Sequence, residues 1–102
     1  KYTYLDYQVV PYGQLKVNIQ NLNCQGPGDN MNFRSQLQFE PDYGSWSTLR
    51  EGCYSYMSTN SSTVPVGYRF YETKVIRSGV TTFVYDTVFV NESGVSTVEL
   101  FY

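Results

Sequence analysis

The chain has 102 residues and a net charge of −2, and its composition is 18% aromatic with no histidine. This length fits a single domain, the lack of a basic surplus argues against nucleic-acid binding, and the short apolar runs argue against a membrane span. Because histidine, the commonest general base near neutral pH, is missing, we expect no enzyme, no cofactor and no bound metal.

Apolar and polar residues alternate almost from end to end, which predicts an all-β chain. Residues 2–10 form the first predicted strand, and the Pro-Tyr-Gly turn at 11–13 ends it. A clean amphipathic strand follows up to residue 20. We therefore divide the chain into an N-terminal strand and hinge at 1–12 and a β-sandwich domain at 13–102.

The middle of the chain is rich in turn residues. The Gln-Gly-Pro-Gly-Asp-Asn segment at 25–30 is the strongest turn signal, and a patterned strand is predicted over 33–40. A second break at 41–45 leads into an irregular region, 46–57, where the alternation is less regular. The hydroxyl-rich and amide-rich residues 58–63 predict a loop.

The last third predicts three strands joined by tight turns. Strands are predicted over 68–76, 81–90 and 95–102, with a hairpin turn at 78–79 and a second turn at 91–94. Seven or eight short strands at this spacing predict a two-sheet antiparallel sandwich of the Ig-like or prealbumin-like type. A closed barrel is the alternative that the pattern favours less.

The two cysteines, Cys24 and Cys53, belong to no zinc-spaced cluster, and we expect them to form a structural disulfide. Two free buried thiols are the alternative. Asn60 and Asn91 each begin an Asn-x-Ser sequon in a turn-like setting, which predicts N-glycosylation. Both features favour an extracellular or cell-surface location.

One carboxylate stands out because it lies in an apolar strand. Asp86 is flanked by aromatic and valine residues, so we expect it either to form an ion pair with Arg69 or Arg77, which we favour, or to lie at a strand edge. A calcium site is a weaker alternative for other acidic positions, if the two turns that carry them converge. Its ligands would be Asp29, Asn30 and Asp42.

The Val-Pro-Val-Gly-Tyr-Arg-Phe-Tyr-Glu-Thr segment at 64–73 resembles a strand opening of prealbumin-like and Cna-B-like sandwiches, the repeat domains of bacterial surface adhesins and pili. The segment 13–17, Gly-Gln-Leu-Lys-Val, is similar to their first strand. Some such domains form an internal isopeptide bond, and Lys16 and Glu72 match the positions of its lysine and glutamate. The closing strand, 95–102, has no Asn or Asp as acceptor, so we expect the disulfide to be the covalent staple instead.

Some rings are expected inside the sandwich. Phe33 and Phe39 share a face with Leu37, and Tyr68 shares one with Phe70, so we expect these four rings to lie in the core.

The other aromatic residues need a cover, and the first hypothesis is self-assembly. Residues 2–10 are apolar on both faces, so this segment could complete its own sheet or donate a strand to the next copy. The predicted donor-strand contacts are Tyr2, Tyr4, Leu5, Tyr7 and Val9. Strand 83–90 is also apolar on both faces. The composition is similar to that of archaeal thread and pilus subunits, and it favours a secreted, non-enzymatic subunit of a homopolymeric filament.

A carbohydrate-binding module or glycan-binding adhesin domain is the alternative hypothesis, because exposed flat rings can stack on sugar faces. The candidate rings cluster in the irregular region and are Tyr43, Trp46, Tyr54 and Tyr56. In this case the partner is a glycan and not another copy of the chain. A passive spacer domain between other domains is a third interpretation.

Overall fold

The computed structural model of the chain describes residues 11–102, which form eight β-strands and no helix. The strands are β1 (Tyr12–Gln20), β2 (Asn30–Leu37), β3 (Arg50–Glu51), β4 (Ser55–Met57), β5 (Ser62–Pro65), β6 (Gly67–Arg77), β7 (Val80–Val90) and β8 (Val95–Phe101). No helix able to cross a bilayer occurs in this part of the chain. The strand predicted at 2–10 lies outside the described residues.

The first sheet is built around β1. The β8 strand pairs with one edge of β1 in parallel, while β4 and β5 pair in succession with its other edge in antiparallel fashion. Leu15, Val17 and Ile19 face the interior from β1, as their alternation predicts. The parallel β1–β8 pair is a feature that no local sequence signal indicated.

The second sheet is antiparallel throughout, with the strand order β3-β2-β6-β7. Its longest pair is the β6–β7 hairpin, in which two eleven-residue strands are joined by Ser78 and Gly79. Both turn residues have positive φ, 50° and 77°, as the favoured two-residue hairpin turns require. The predicted hairpin is therefore confirmed.

The two sheets enclose one core, which confirms the predicted all-β sandwich. Buried side chains from β1, β2, β6, β7, β8 and the residue after β8 form it: Leu15, Ile19, Met31, Tyr71, Val75, Val90, Val98, Leu100 and Tyr102. Phe39 was expected inside, yet it is 55% exposed. The β2 strand ends at Leu37, whose carbonyl accepts a hydrogen bond from the amide of Glu40, so the chain turns before Phe39 can reach the core.

Cys24 and Cys53 form the expected disulfide, with their Cα atoms 5.2 Å apart. A buried polar cluster lies beside it: the carboxylate of Asp29 accepts hydrogen bonds from the Asn21 side chain (3.0 Å) and the Gln25 amide (2.9 Å). The Arg77 guanidinium lies 3.5 Å from the same carboxylate.

These contacts hold the pKa of Asp29 below its ordinary value, with the Gln25 bond as the largest cause, followed by the Asn21 bond. Asp29 is 2% exposed, so it acts as a structural anion and not as the calcium ligand of the alternative prediction. Asp42, the second carboxylate of that candidate calcium set, is exposed in a different loop.

Candidate functional site

The outer faces of the two sheets differ in character. Strand β1 presents polar side chains to solvent from the first sheet: Gln14, Lys16, Asn18 and Gln20. The outer face of the second sheet carries a row of rings from β6 and β7. We call Tyr68, Phe70, Phe83, Tyr85 and Phe89 the aromatic face.

Four rings of the aromatic face are about half exposed or more: Tyr68 (49%), Phe83 (48%), Tyr85 (63%) and Phe89 (43%). Tyr68 packs edge-on against Phe89, with ring centroids 4.8 Å apart, and lies 6.4 Å from the nearly parallel ring of Phe70. Sequence reasoning placed Tyr68 and Phe70 in the interior. They point outward because Tyr71, Thr73 and Val75 take the core-facing positions of β6.

A charged network crosses the centre of this face. The Arg34 Nε of β2 lies 2.6 Å from the Glu72 Oε1 of β6, and the Tyr85 hydroxyl of β7 donates a 2.9 Å hydrogen bond to Glu72 Oε2. Burial opposes ionisation of Glu72, but the bonds from Tyr85 and Arg34 and the charge of Arg34 outweigh it and lower the pKa of this carboxyl. The bond to Glu72 in turn raises the pKa of Tyr85.

Residues between β2 and β3 run back along the edge of β2 as an irregular extra strand. The amide of Gly44 donates to the Ser35 carbonyl (2.9 Å), and the amide of Ser47 donates to the Phe33 carbonyl (2.7 Å). This pairing carries the intervening rings onto the outer side of the sheet.

Two of the predicted sugar-binding rings meet there. The Arg34 guanidinium carbon lies 4.8 Å from the Tyr43 ring centroid and 4.5 Å from that of Trp46, and the Lys74 Nζ lies 5.2 Å from Trp46. Cations at this distance from an indole face are attracted to it. Tyr43 and Trp46 therefore form one border of the aromatic face.

The other two candidate rings are elsewhere. Tyr54 packs against the core and has the Arg50 guanidinium 5.4 Å from its ring centroid. Tyr56 is 50% exposed on β4, in the first sheet. The four rings proposed from the sequence thus do not form a single surface, because Cys53 and the short β4 strand divert the chain from one sheet to the other.

The long free edge of β7 is the second feature of the site. Among residues 11–102, β7 pairs only with β6. The N–H and C=O of Tyr68 both bond to Gln38, on the side of β6 away from β7. Tyr68 lies opposite Phe89 in the β6–β7 register, so the backbone N–H and C=O of Phe89 point away from β6. Because this direction alternates along a strand, the backbone groups of every second β7 residue point toward the open edge. The Phe89 carbonyl accepts a 3.1 Å bond from the Ser96 hydroxyl, and that contact covers only one end of the edge.

The core-facing side of this edge strand is incompletely covered. Val84 and Val88 pack against the core but remain half-buried, with Asp86 between them. The expected ion pair of Asp86 is wrong for the described residues: its Oδ2 is buried without a hydrogen-bond partner, and Arg77 is engaged with Asp29 instead. Burial raises the pKa of Asp86. Arg69, the other expected partner, also has a buried Nε without a partner.

The remaining sequence-derived positions are dispersed. Asn60 lies in the loop between β4 and β5, Asn91 lies in the turn between β7 and β8, and both are exposed. Lys16 and Glu72 lie on the outer faces of opposite sheets, so they are not a pair. The predicted donor-strand residues, all between 2 and 10, lie outside the described part of the chain.

Comparison with known proteins adds no relative: no family model, no curated protein and no solved structure matches this chain. Residues 11–102 contain no cluster of three or more His, Cys, Asp or Glu side chains that could hold a metal ion. The candidate site therefore consists of the aromatic face, its charged centre and the β7 edge.

Proposed function

We propose that the protein is a secreted, non-enzymatic subunit of an extracellular filament, in which the segment 2–10 of one copy adds a strand to the β7 edge of the next. The observation that carries this proposal is the open edge of β7, whose core-facing Val84 and Val88 are only half-buried. An added strand would satisfy the outward backbone groups and cover these valines, as in other cases of β-strand addition.

The alternation of the N-terminal segment fits this role. If the segment is extended, Leu5, Tyr7 and Val9 would share one side of it, and an extended strand presents alternate residues to a core. Head-to-tail donation does not close on itself, so it generates a filament. The location outside the cell is supported by the Cys24–Cys53 disulfide and by the two exposed sequon asparagines.

Two proline variants of the full chain test donation. Gln8→Pro removes a backbone donor from the segment 2–10, and Thr87→Pro removes one from the β7 edge. Thr87 has its backbone groups directed away from β6, so the hairpin keeps its ladder in this variant. Gln8→Ala and Thr87→Ala retain the N–H groups and are the matched controls.

Donation predicts a specific complementation. Electron microscopy is expected to reveal filaments for the unmodified chain and both alanine controls, and none for either proline variant. A mixture of the two proline variants should form a complex larger than either variant forms alone, because Thr87→Pro supplies an intact donor and Gln8→Pro an intact acceptor. If the mixture contains no such complex while both variants remain folded, the segment pairs within its own chain and donation is wrong.

A glycan-binding module is the second candidate, supported by the meeting of Tyr43 and Trp46 beside Arg34. Rings with adjacent polar groups are the usual components of sugar sites. A glycan array with the full chain, Trp46→Ala and Tyr56→Ala tests it. Binding that Trp46→Ala abolishes and Tyr56→Ala preserves would support this candidate, and no binding by the unmodified chain would remove it.

A further inference from the structure

We propose that the aromatic face is an isologous interface, on which a second copy of this chain packs sheet against sheet about a two-fold axis. Strand donation would use the edge of β7, whereas this contact uses the outer face of the second sheet. The pairing is thus independent of donation, and it would join subunits or filaments laterally.

The size of the face fits a dimer. The eleven-residue strands β6 and β7 are about 35 Å long, and with the eight-residue β2 the sheet is about 14 Å wide, so the outer face of these three strands covers roughly 450 Å². A standard stable interface buries about 800 Å² on each partner, and the border formed by Tyr43 and Trp46 extends the surface toward that value. Exposed apolar patches of this extent on a monomer commonly mark interaction sites.

The chemistry of the face favours a copy of itself over a charged partner. Its anion, Glu72, is already paired with Arg34, and Lys74 lies against the Trp46 ring. The face therefore has little unpaired charge that could attract an acidic or a basic partner. A row of Phe and Tyr rings can pack against the same row of a second copy related by a two-fold axis. Such a contact resembles the apolar core of homodimer interfaces.

The outer side of the first sheet serves as an internal contrast. It carries amides and Lys16 on β1, which are polar side chains and do not require an apolar partner to cover them. The chain has three lysines, of which Lys74 borders the aromatic face while Lys16 lies on the opposite side of the sandwich. Their relative reactivity reports which sheet is covered.

The test uses the full chain carrying Gln8→Pro, which cannot donate a strand. Sedimentation equilibrium is expected to yield a concentration-dependent dimer, and amine labelling should become slower at Lys74 than at Lys16 as the dimer forms. Adding Phe83→Thr and Phe89→Thr should weaken dimerisation by on the order of a hundredfold. Tyr56→Thr, which replaces a ring of similar exposure on the first sheet, should leave the dimer unchanged.

Threonine suits exposed strand positions, so both variants should keep their circular dichroism spectrum and melting temperature. A monomer at every concentration, a dimer insensitive to the two Phe substitutions, or equal labelling of both lysines would each overturn the proposal. A monomer that binds an insoluble polysaccharide through Phe83 and Phe89 would assign the face to a glycan and also overturn it. If the Gln8→Pro chain forms this dimer while the unmodified chain forms no filament, donation is contradicted and the pairing of aromatic faces is still supported.

Discussion

Tyr85 on β7 donates a 2.9 Å hydrogen bond to Glu72 on β6, its direct cross-strand neighbour, and so fixes a carboxylate on the outer side of a sheet. Arg34 on β2 completes a three-strand row with an ion pair to the same carboxylate. The row ties β2, β6 and β7 together, and Glu72 is 8% exposed although it faces outward. The ionisation of Glu72 should therefore change the free energy of unfolding of the sandwich.

Glu72→Gln is expected to lower the free energy of unfolding at neutral pH by about 1 kcal/mol, because it removes a charge-assisted hydrogen bond. The folded pKa of Glu72 is below its ordinary value, so the stabilisation is fully present above the unfolded pKa and disappears as the pH falls through the folded pKa. Urea unfolding of both proteins across acidic and neutral pH measures the difference. A gap of constant size down to the lowest pH would contradict the assignment.

Asp86→Asn is expected to have the opposite effect. Burial raises the folded pKa of Asp86, so the ionised form destabilises the fold, and stability decreases as the pH rises from the unfolded to the folded pKa. At neutral pH, the free energy of unfolding of the asparagine variant should exceed that of the unmodified protein by about 0.5–1 kcal/mol. This advantage should vanish below the ordinary Asp pKa. A variant that is less stable at neutral pH would mean that the carboxylate has a favourable partner.

The sequence indicated the fold well because its signals are local. Alternation in β1 and β6, the Ser78-Gly79 turn and the lone pair of cysteines each predict their element without reference to the rest of the chain. The parallel pairing of β8 with β1 had no such signal, since it joins strands that are distant in sequence. Contacts of this kind depend on the packing of the whole sandwich.

The candidate site was only partly predictable for the same reason. The two-faced apolar pattern of β7 correctly indicated a ring-bearing surface, but Tyr68 and Phe70 were placed inside because period-two alternation does not say which face is buried. The ion pair predicted for Asp86 is also absent among residues 11–102. Arg77 is drawn to Asp29 by the loop that the disulfide closes, and no pattern in the sequence reports that convergence.

Replacing both cysteines by serine, Cys24→Ser/Cys53→Ser, is expected to lower the free energy of unfolding by about 3–4 kcal/mol, since the bridge closes a loop across 29 positions. Because the loop also carries Asp29 and the Gln25 amide, the variant should lose protection of the Gln25 amide from hydrogen exchange. Denaturant unfolding under non-reducing conditions gives the first quantity. A midpoint equal to that of the unmodified, oxidised protein would contradict a stabilising bridge.

Gly13→Ala is expected to destabilise the sandwich by about 2 kcal/mol or more, because an added methyl group would collide with the backbone carbonyl of Asn91 and lie 2.7 Å from the Val90 Cγ1. Backbone cannot swing aside as a flexible side chain can, so the start of β1 would have to separate from the end of β7. Gly28→Ala is the matched control, since its methyl group would meet no atom within 4 Å and no positive φ opposes it. Thermal unfolding of the two variants decides the point: equal melting temperatures would show that β1 and the turn after β7 are not in close contact.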